Sequence, residues 1–147
     1  MRRMMLVGRS ESGKTTLTQA LRGEKIHYSK TQSIHYHEVI IDTPGEYAEN
    51  KDLAAALAVY SYEADVIGLL ISATEPYSLY PPNVTGSVNR EVIGIVTKVD
   101  KEDGDPLLAE AWLRLSGCEK VFQVSAVTGA GMDPLLAFLM EDIEIWT

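Results

Sequence analysis

A chain of 147 residues with 13 lysines and arginines against 21 aspartates and glutamates carries a formal charge of −8. That balance excludes general attraction to nucleic acid or to an anionic membrane, so any phosphate must be held by a local arrangement. Composition that is 46% hydrophobic and 23% charged excludes wholesale disorder, and the length is that of one domain, residues 1–147.

The single cysteine, Cys118, excludes an internal disulfide and reads as a packing residue. No apolar run is long enough to span a bilayer, and Met1 to Met5 is too short for a signal peptide. A cytoplasmic protein is expected.

Met4 to Val7 is a short apolar run ending at Gly8, and Leu17, Ala20 and Leu21 follow at helical spacing, with Gly23 as the expected stop. The stretch GRSESGKTT, residues 8 to 16, therefore joins a strand to a helix. In such a loop consecutive backbone N–H groups curl around an anion at a helix N-terminus, and glycine permits the curl. Gly8, Ser10, Glu11, Ser12, Gly13, Lys14, Thr15 and Thr16 are the candidate phosphate-binding residues. Lys14 would reach the β- and γ-phosphates of a nucleotide, and the Thr15 hydroxyl would coordinate Mg²⁺. A solvated glycine turn with a surface lysine is the plain alternative, and the flanking strand and helix argue against it.

Ser33 to Asp42 reads as two short strands, the second containing Val39, Ile40 and Ile41. His35 and His37 alternate on one face of an edge strand and read as exposed polarity, since two ligands without a third are weak evidence for a metal. Asp42, at the carboxyl end of an apolar strand, can hold the metal through water, and the backbone N–H of Gly45 can reach a γ-phosphate. An acid followed by Thr-Pro-Gly is also a common turn. Thr31, in a polar segment between the first helix and Asp42, is the candidate for a switch threonine closing over Mg²⁺ and the γ-phosphate, with Ser29 and Ser33 as rivals. A loop threonine bonded to its own backbone is the alternative.

Tyr47 to Tyr60 carries Leu53, Ala56, Leu57 and Tyr60 at helical spacing. Val66 to Ile71 and Val92 to Val96 read as central parallel strands. Between them, PYSLYPPN places Pro76, Pro81 and Pro82 where a crossover helix would run, so a shortened or irregular connection is predicted. Tyr77, Leu79 and Tyr80 either cover the sheet there or form an interface.

The second of those strands ends in IVTKVD. Asp100 can accept hydrogen bonds from N1–H and the N2 amine of guanine, while the stem of Lys98 lies along the base. Adenine presents an acceptor at N1 instead, so guanine is the expected base. Asp105 then caps and Pro106 opens a helix bearing Leu108, Ala111, Trp112 and Leu115, ended by Gly117. Val121 to Val124 is the last strand, and Ser125 and Ala126 after it form a tight loop whose amide can bond the guanine O6. Asp133 and Pro134 start a last helix through Met140. Six strands alternating with about four helices predict an α/β protein with a mostly parallel sheet and helices on both faces.

The phosphate loop, DTPG, TKVD and SA occur in that order, and together they resemble the small GTPases of the Ras-like, translation-factor-related class, from Met4 to about Met140. The resemblance implies a Ras-like P-loop NTPase fold, GTP or GDP with Mg²⁺ as ligands, and hydrolysis of GTP to GDP and phosphate around Lys14, Thr31, Gly45 and Glu46. The stretches RGEKIHYSKTQSI, IDTPGEYAEN and VIGIVTKVD resemble, more narrowly, the EutP/PduV family of bacterial propanediol and ethanolamine utilisation, in particular its propanediol-type member. That likeness alone implies association with a bacterial microcompartment and a shell protein as partner.

Two positions depart from the GTPase pattern. Glu46 stands where fast GTPases place a neutral glutamine to orient the attacking water, so intrinsic hydrolysis is expected to be slow. Thr97 replaces the more common asparagine and is expected to tie the base loop to the phosphate loop less firmly. A guanine-nucleotide-binding scaffold that docks on the shell without hydrolysis is the alternative function. A small-molecule kinase using ATP is disfavoured because TKVD has no purpose in an ATP site. The first strand begins almost at Met1, so attachment to a compartment is expected to use the folded surface or the first few residues.

Overall fold

Parallel strands buried on both faces need near-continuous apolar sequence, and four segments of this chain supply it. The computed structural model describes residues 3–8, 13–32, 40–42, 64–76, 78, 80 and 82–139. In it, β1 (Met4–Val7), β2 (Ile40–Asp42), β3 (Val66–Ser72), β4 (Glu91–Thr97) and β5 (Lys120–Gln123) form one sheet in the order β2-β1-β3-β4-β5. Every neighbouring pair is parallel, with Met4 opposite Ile40 and Val66, Val66 opposite Glu91, and Ile93 opposite Lys120. The first of the two strands expected in Ser33 to Asp42, like the helix expected over Tyr47 to Tyr60, lies outside the described residues. Five parallel strands, flanked by helices, are what the described residues form.

Alternation along the strands divides the core into two layers. Met5, Val7, Ile67, Leu69, Ile71 and Val96 point to one face, where Ala109 and Leu113 of α2 (Pro106–Leu115) cover them together with Tyr80, Val84 and Cys118. Met4, Leu6, Val66, Leu70, Ile93 and Ile95 point to the other. Leu17 and Leu21 of α1 (Lys14–Gln32) and Leu135, Phe138 and Leu139 of α3 (Met132–Leu139) cover that side. Each such side chain, buried in full, contributes roughly 1.5–3 kcal/mol, so the paired layers hold the sheet edge that carries the site.

Two helices differ from expectation. Helix α1 continues past Gly23 to Gln32. Gly23 is absent from the residues with positive φ, and glycine inside a helix costs only about 1 kcal/mol relative to alanine, which does not enforce a stop. Helix α2 starts and ends as predicted: the Asp105 carboxylate accepts from the Leu108 amide, and Gly117, at φ 113, lets the Cys118 amide reach the Leu113 carbonyl. Its buried face, however, is Ala109 and Leu113, whereas Leu107, Leu108 and Leu115 are 76%, 44% and 65% exposed. The rotation follows from β4: a Cβ on Gly94 would lie 2.9 Å from Leu113 Cδ1, so the bare glycine is the socket into which Leu113 docks.

Between β3 and β4 the helical element among the described residues is a 3-10 turn, Val84–Ser87, as the three prolines predicted. Tyr80 in this connection is buried against the sheet, which removes it from the interface considered for it. Tyr77 and Leu79 lie outside the described residues.

Candidate nucleotide site

The carboxyl ends of β1, β2, β4 and β5 meet at one edge of the sheet, the edge at which open α/β sheets hold ligands. β1 runs out at Val7 into the buried Gly8, and α1 begins at Lys14. Ser10, Glu11 and Ser12 lie outside the described residues. Gly13 takes φ 95, and its carbonyl accepts the first helical bond, from the Leu17 amide at 2.9 Å. Helix α1 thus starts at this edge of the sheet and places the positive end of its dipole there. Lys14 is only 7% exposed, while Thr15 and Thr16 are exposed.

The base-loop candidates sit directly against that helix start. A Cβ on Gly13 would be 3.4 Å from Thr97 Oγ1 and 3.7 Å from Lys98 Cε. Thr97 closes β4 and is buried, so the residue expected to link the loops weakly is packed against the phosphate segment. Lys98 adopts φ 59, a left-handed conformation that costs a non-glycine residue about 1–2 kcal/mol. It turns the Lys98 stem back over Gly13, and strain of this kind gathers at binding sites.

Asp100 and Ser125 come from different turns and meet. The fully buried Ser125 hydroxyl donates to Asp100 Oδ1 at 2.8 Å and accepts from the Thr128 amide at 3.1 Å. The backbone repeats the link: the Val99 amide donates to the Val124 carbonyl at 3.3 Å, and the Val124 amide to the Val96 carbonyl at 2.8 Å. Ser125 is itself pinned, because its amide donates to the Ala130 carbonyl and its carbonyl accepts from the Gly129 amide. Ala126 follows Ser125 directly in the chain, so its amide is next to the residue that holds the Asp100 carboxylate.

Asp42 is the last residue of β2 and is in register with Leu6, one residue before β1 ends. Its backbone is at the same edge as Gly8. Thr31 is not: it lies in the last turn of α1 rather than in a polar connection, and seventeen residues of helix at about 1.5 Å each carry it about 25 Å from Lys14. Ser29 shares that helix, and Ser33, Gly45 and Glu46 lie outside the described residues. Oxygen donors suit Mg²⁺, which keeps several waters and takes few protein ligands. The exposed Thr15 hydroxyl at a helix start and an aspartate at an adjoining strand end are a donor set of that chemistry. Among the described residues, no group of three or more histidine, cysteine or acidic side chains is placed to hold a metal alone.

Two contacts were not legible from the sequence. The Ser125 to Asp100 bond joins residues 25 apart with no spacing rule between them. The Tyr80 hydroxyl reaches the carbonyls of Val7 and Leu70 at 3.0 and 2.8 Å, at the point where β1 leaves the sheet. An aromatic residue in a proline-containing connection was the one available signal for it.

Comparison with known proteins identifies the family of the chain. The PduV-EutP family, described as ethanolamine utilisation and propanediol utilisation, matches residues 1–141. The propanediol utilization protein PduV of Citrobacter freundii is 48% identical over 140 residues, covering 95% of this chain and 93% of that protein. The Probable acetate kinase EutP of Escherichia coli strain K12 is 29% identical over 142 residues, covering 95% and 89%. GTPase Era of Corynebacterium diphtheriae is 33% identical over 156 residues, covering 88% of this chain and 51% of Era. With a family match across nearly its whole length and a relative at 48% identity, the chain belongs to the PduV-EutP family.

Proposed function

We propose that this chain is a Mg²⁺-dependent GTP-binding protein with slow intrinsic hydrolysis, acting in the cytoplasm at the surface of a bacterial microcompartment for propanediol or ethanolamine utilisation. The observation that carries the nucleotide reading is the Ser125 to Asp100 bond, with its turn packed through Thr97 onto Gly13. It supports a site in which one carboxylate faces a base and the start of α1 faces phosphates.

In this reading the whole chain is one G domain of Ras-like P-loop fold, with a sixth strand within residues 33–39. Asp100 accepts from N1–H and N2 of guanine, the Ala126 amide donates to O6, and the Lys98 stem lies along the ring. Backbone amides from Gly8 through Ser10, Glu11, Ser12 and Gly13 to Thr16 surround the phosphates, and the Lys14 ammonium balances their charge. Mg²⁺, held by Thr15 and through water by Asp42, would supply neutralisation of charge between the phosphates. The Gly45 amide reports the γ-phosphate. A role for Thr31 at the metal requires the last turns of α1 to unwind when triphosphate binds.

Glu46 repels a γ-phosphate unless protonated or turned outward, which favours slow turnover. Titration of the purified protein with fluorescent GDP, GTP and ATP, with and without Mg²⁺, tests the reading; micromolar or tighter guanine nucleotide binding is expected, and none at millimolar ligand ends it. Glu46→Gln is expected to raise GTP turnover severalfold, and no turnover in either protein would favour a non-hydrolysing scaffold docked on the shell.

A second reading is favoured by one relative, the Probable acetate kinase EutP. Here the same phosphate loop would hold ATP while acetate oxygen attacks the γ-phosphorus, giving acetyl phosphate and ADP. Trapping acetyl phosphate with hydroxylamine tests it. Formation abolished by Lys14→Ala, with adenine preferred to guanine, would replace the GTPase reading.

A further inference from the structure

We propose that Tyr80 is a positioning residue of the nucleotide site, its phenol fixing the point at which β1 hands over to the phosphate loop. The inference rests on the nucleotide reading above and deepens it.

The β1 to β3 ladder ends with Val7 opposite Leu69, and the β1 to β2 ladder ends one residue earlier, with Leu6 opposite Asp42. Beyond those rungs β1 turns away through Gly8, whereas β3 continues alongside β4 as far as Ser72 opposite Thr97. The Leu70 carbonyl therefore lies one step past the last rung that β1 offers, next to the Val7 carbonyl that ends the strand. The Tyr80 hydroxyl takes up that position. Its proton is shared between the Val7 oxygen at 3.0 Å and the Leu70 oxygen at 2.8 Å. Tyr80 belongs to the same buried cluster as Val7, Leu69 and Ile71 and is 8% exposed.

The Val7 carbonyl and the Gly8 amide belong to one planar peptide unit. Holding the carbonyl therefore aims the first N–H of the phosphate-binding segment. The donor is dependable, because burial pushes the Tyr80 phenol well above its ordinary range and keeps it protonated. It is also anchored from behind: the Tyr80 amide donates to Ser78 Oγ, and farther along, the Asn83 amide donates to the Leu115 carbonyl and the Thr85 amide to that of Ser116. The connection that lacks a crossover helix is thus fastened at one end to α2 and at the other to the start of the phosphate loop.

Tyr80→Phe keeps the ring and removes the donor. Ile67→Val, a trimmed side chain near the start of β3 on the same face, is the control for simple loss of stability. The measurement is the dissociation rate of fluorescent GDP together with the melting temperature. Tyr80→Phe is expected to release GDP about tenfold faster, the change that one lost buried hydrogen bond produces, while Ile67→Val melts earlier at the wild-type rate. Release at the wild-type rate from Tyr80→Phe, or acceleration in both variants in proportion to their melting temperatures, overturns the proposal. Amide exchange of the β1–α1 peptide in the nucleotide-free protein separates the two readings. Faster exchange in Tyr80→Phe alone upholds the positioning role even if the wild type binds no nucleotide, and equal exchange in all three proteins in that case overturns it.

Discussion

Ser125 donates its hydroxyl proton to Asp100 Oδ1 across 2.8 Å and takes the Thr128 amide on the same oxygen. The bond restrains the carboxylate of a residue that is otherwise exposed. Without the hydroxyl, Asp100 must be ordered by the ligand at the moment of binding, and the ordering is subtracted from affinity. Ser125→Ala is therefore expected to weaken GDP and GTP by about 1.5 kcal/mol, roughly tenfold, with little change in ATP binding. Asp100→Asn tests the pairing itself. An amide can donate where the carboxylate accepts, which suits the C2 carbonyl of xanthine, so xanthosine diphosphate should displace GDP as the better ligand in competition titrations. Equal loss for every base would mean that Asp100 does not face the base.

The metal prediction turns on Thr15, an exposed hydroxyl one residue into α1. Chelation of Mg²⁺ from the wild type should weaken GTP by at least tenfold. Thr15→Ala should show nearly the same weak affinity with and without Mg²⁺, because the substitution removes the ligand and leaves the loop amides in place. Isothermal titration in Mg²⁺ and in EDTA gives the four constants needed. A Thr15→Ala protein that keeps the full Mg²⁺ effect would place the metal elsewhere.

Much of the sheet was readable because buried parallel strands are almost uniformly apolar, as at Val66–Ser72, and because the glycine, aspartate and serine signals stand at strand ends. The faces of the helices were less readable. Leu108, Ala111, Trp112 and Leu115 have the spacing of a core stripe, yet the deciding feature is on another element: Gly94, whose missing side chain admits Leu113. Gly23 misled in a similar way, since a glycine has the same letter whether it stops a helix in the left-handed region or passes through it. The Tyr80 contact depends on where two strands separate, which no local pattern records.

Alkaline pH should weaken the fold through Cys118. Burial pushes its thiol up to about 12 from an ordinary 9.0, against the smaller opposing effect of Arg114. The folded state keeps the proton that the unfolded state gives up first, so this contribution is complete below about pH 9 and disappears as pH rises toward 12. The slope for one proton is about 1.4 kcal/mol per pH unit at most. Urea melts at pH 8, 9 and 10 should show the decline beginning above pH 9, with a shallower decline in Cys118→Ala. Alkylation of the native protein at pH 8 should be slow and should become fast only in denaturant, because the buried thiol carries almost no thiolate there.

The docking of α2 on β4 gives a prediction that depends on two residues at once. A methyl group on Gly94 would lie 2.9 Å from Leu113 Cδ1 and 3.0 Å from its Cβ, so the helix must lift or the leucine must leave its rotamer. Gly94→Ala should then cost about 1–3 kcal/mol by overpacking, and Leu113→Ala about 2–5 kcal/mol by the cavity it opens. Together they should cost less than the sum, because the new methyl occupies part of the space the leucine vacates. A double-mutant cycle in urea measures the difference, with an expected coupling of about 1 kcal/mol or more. Strict additivity would show that Leu113 does not sit on Gly94, and would return α2 to the rotation in which Leu108 and Leu115 are the buried pair.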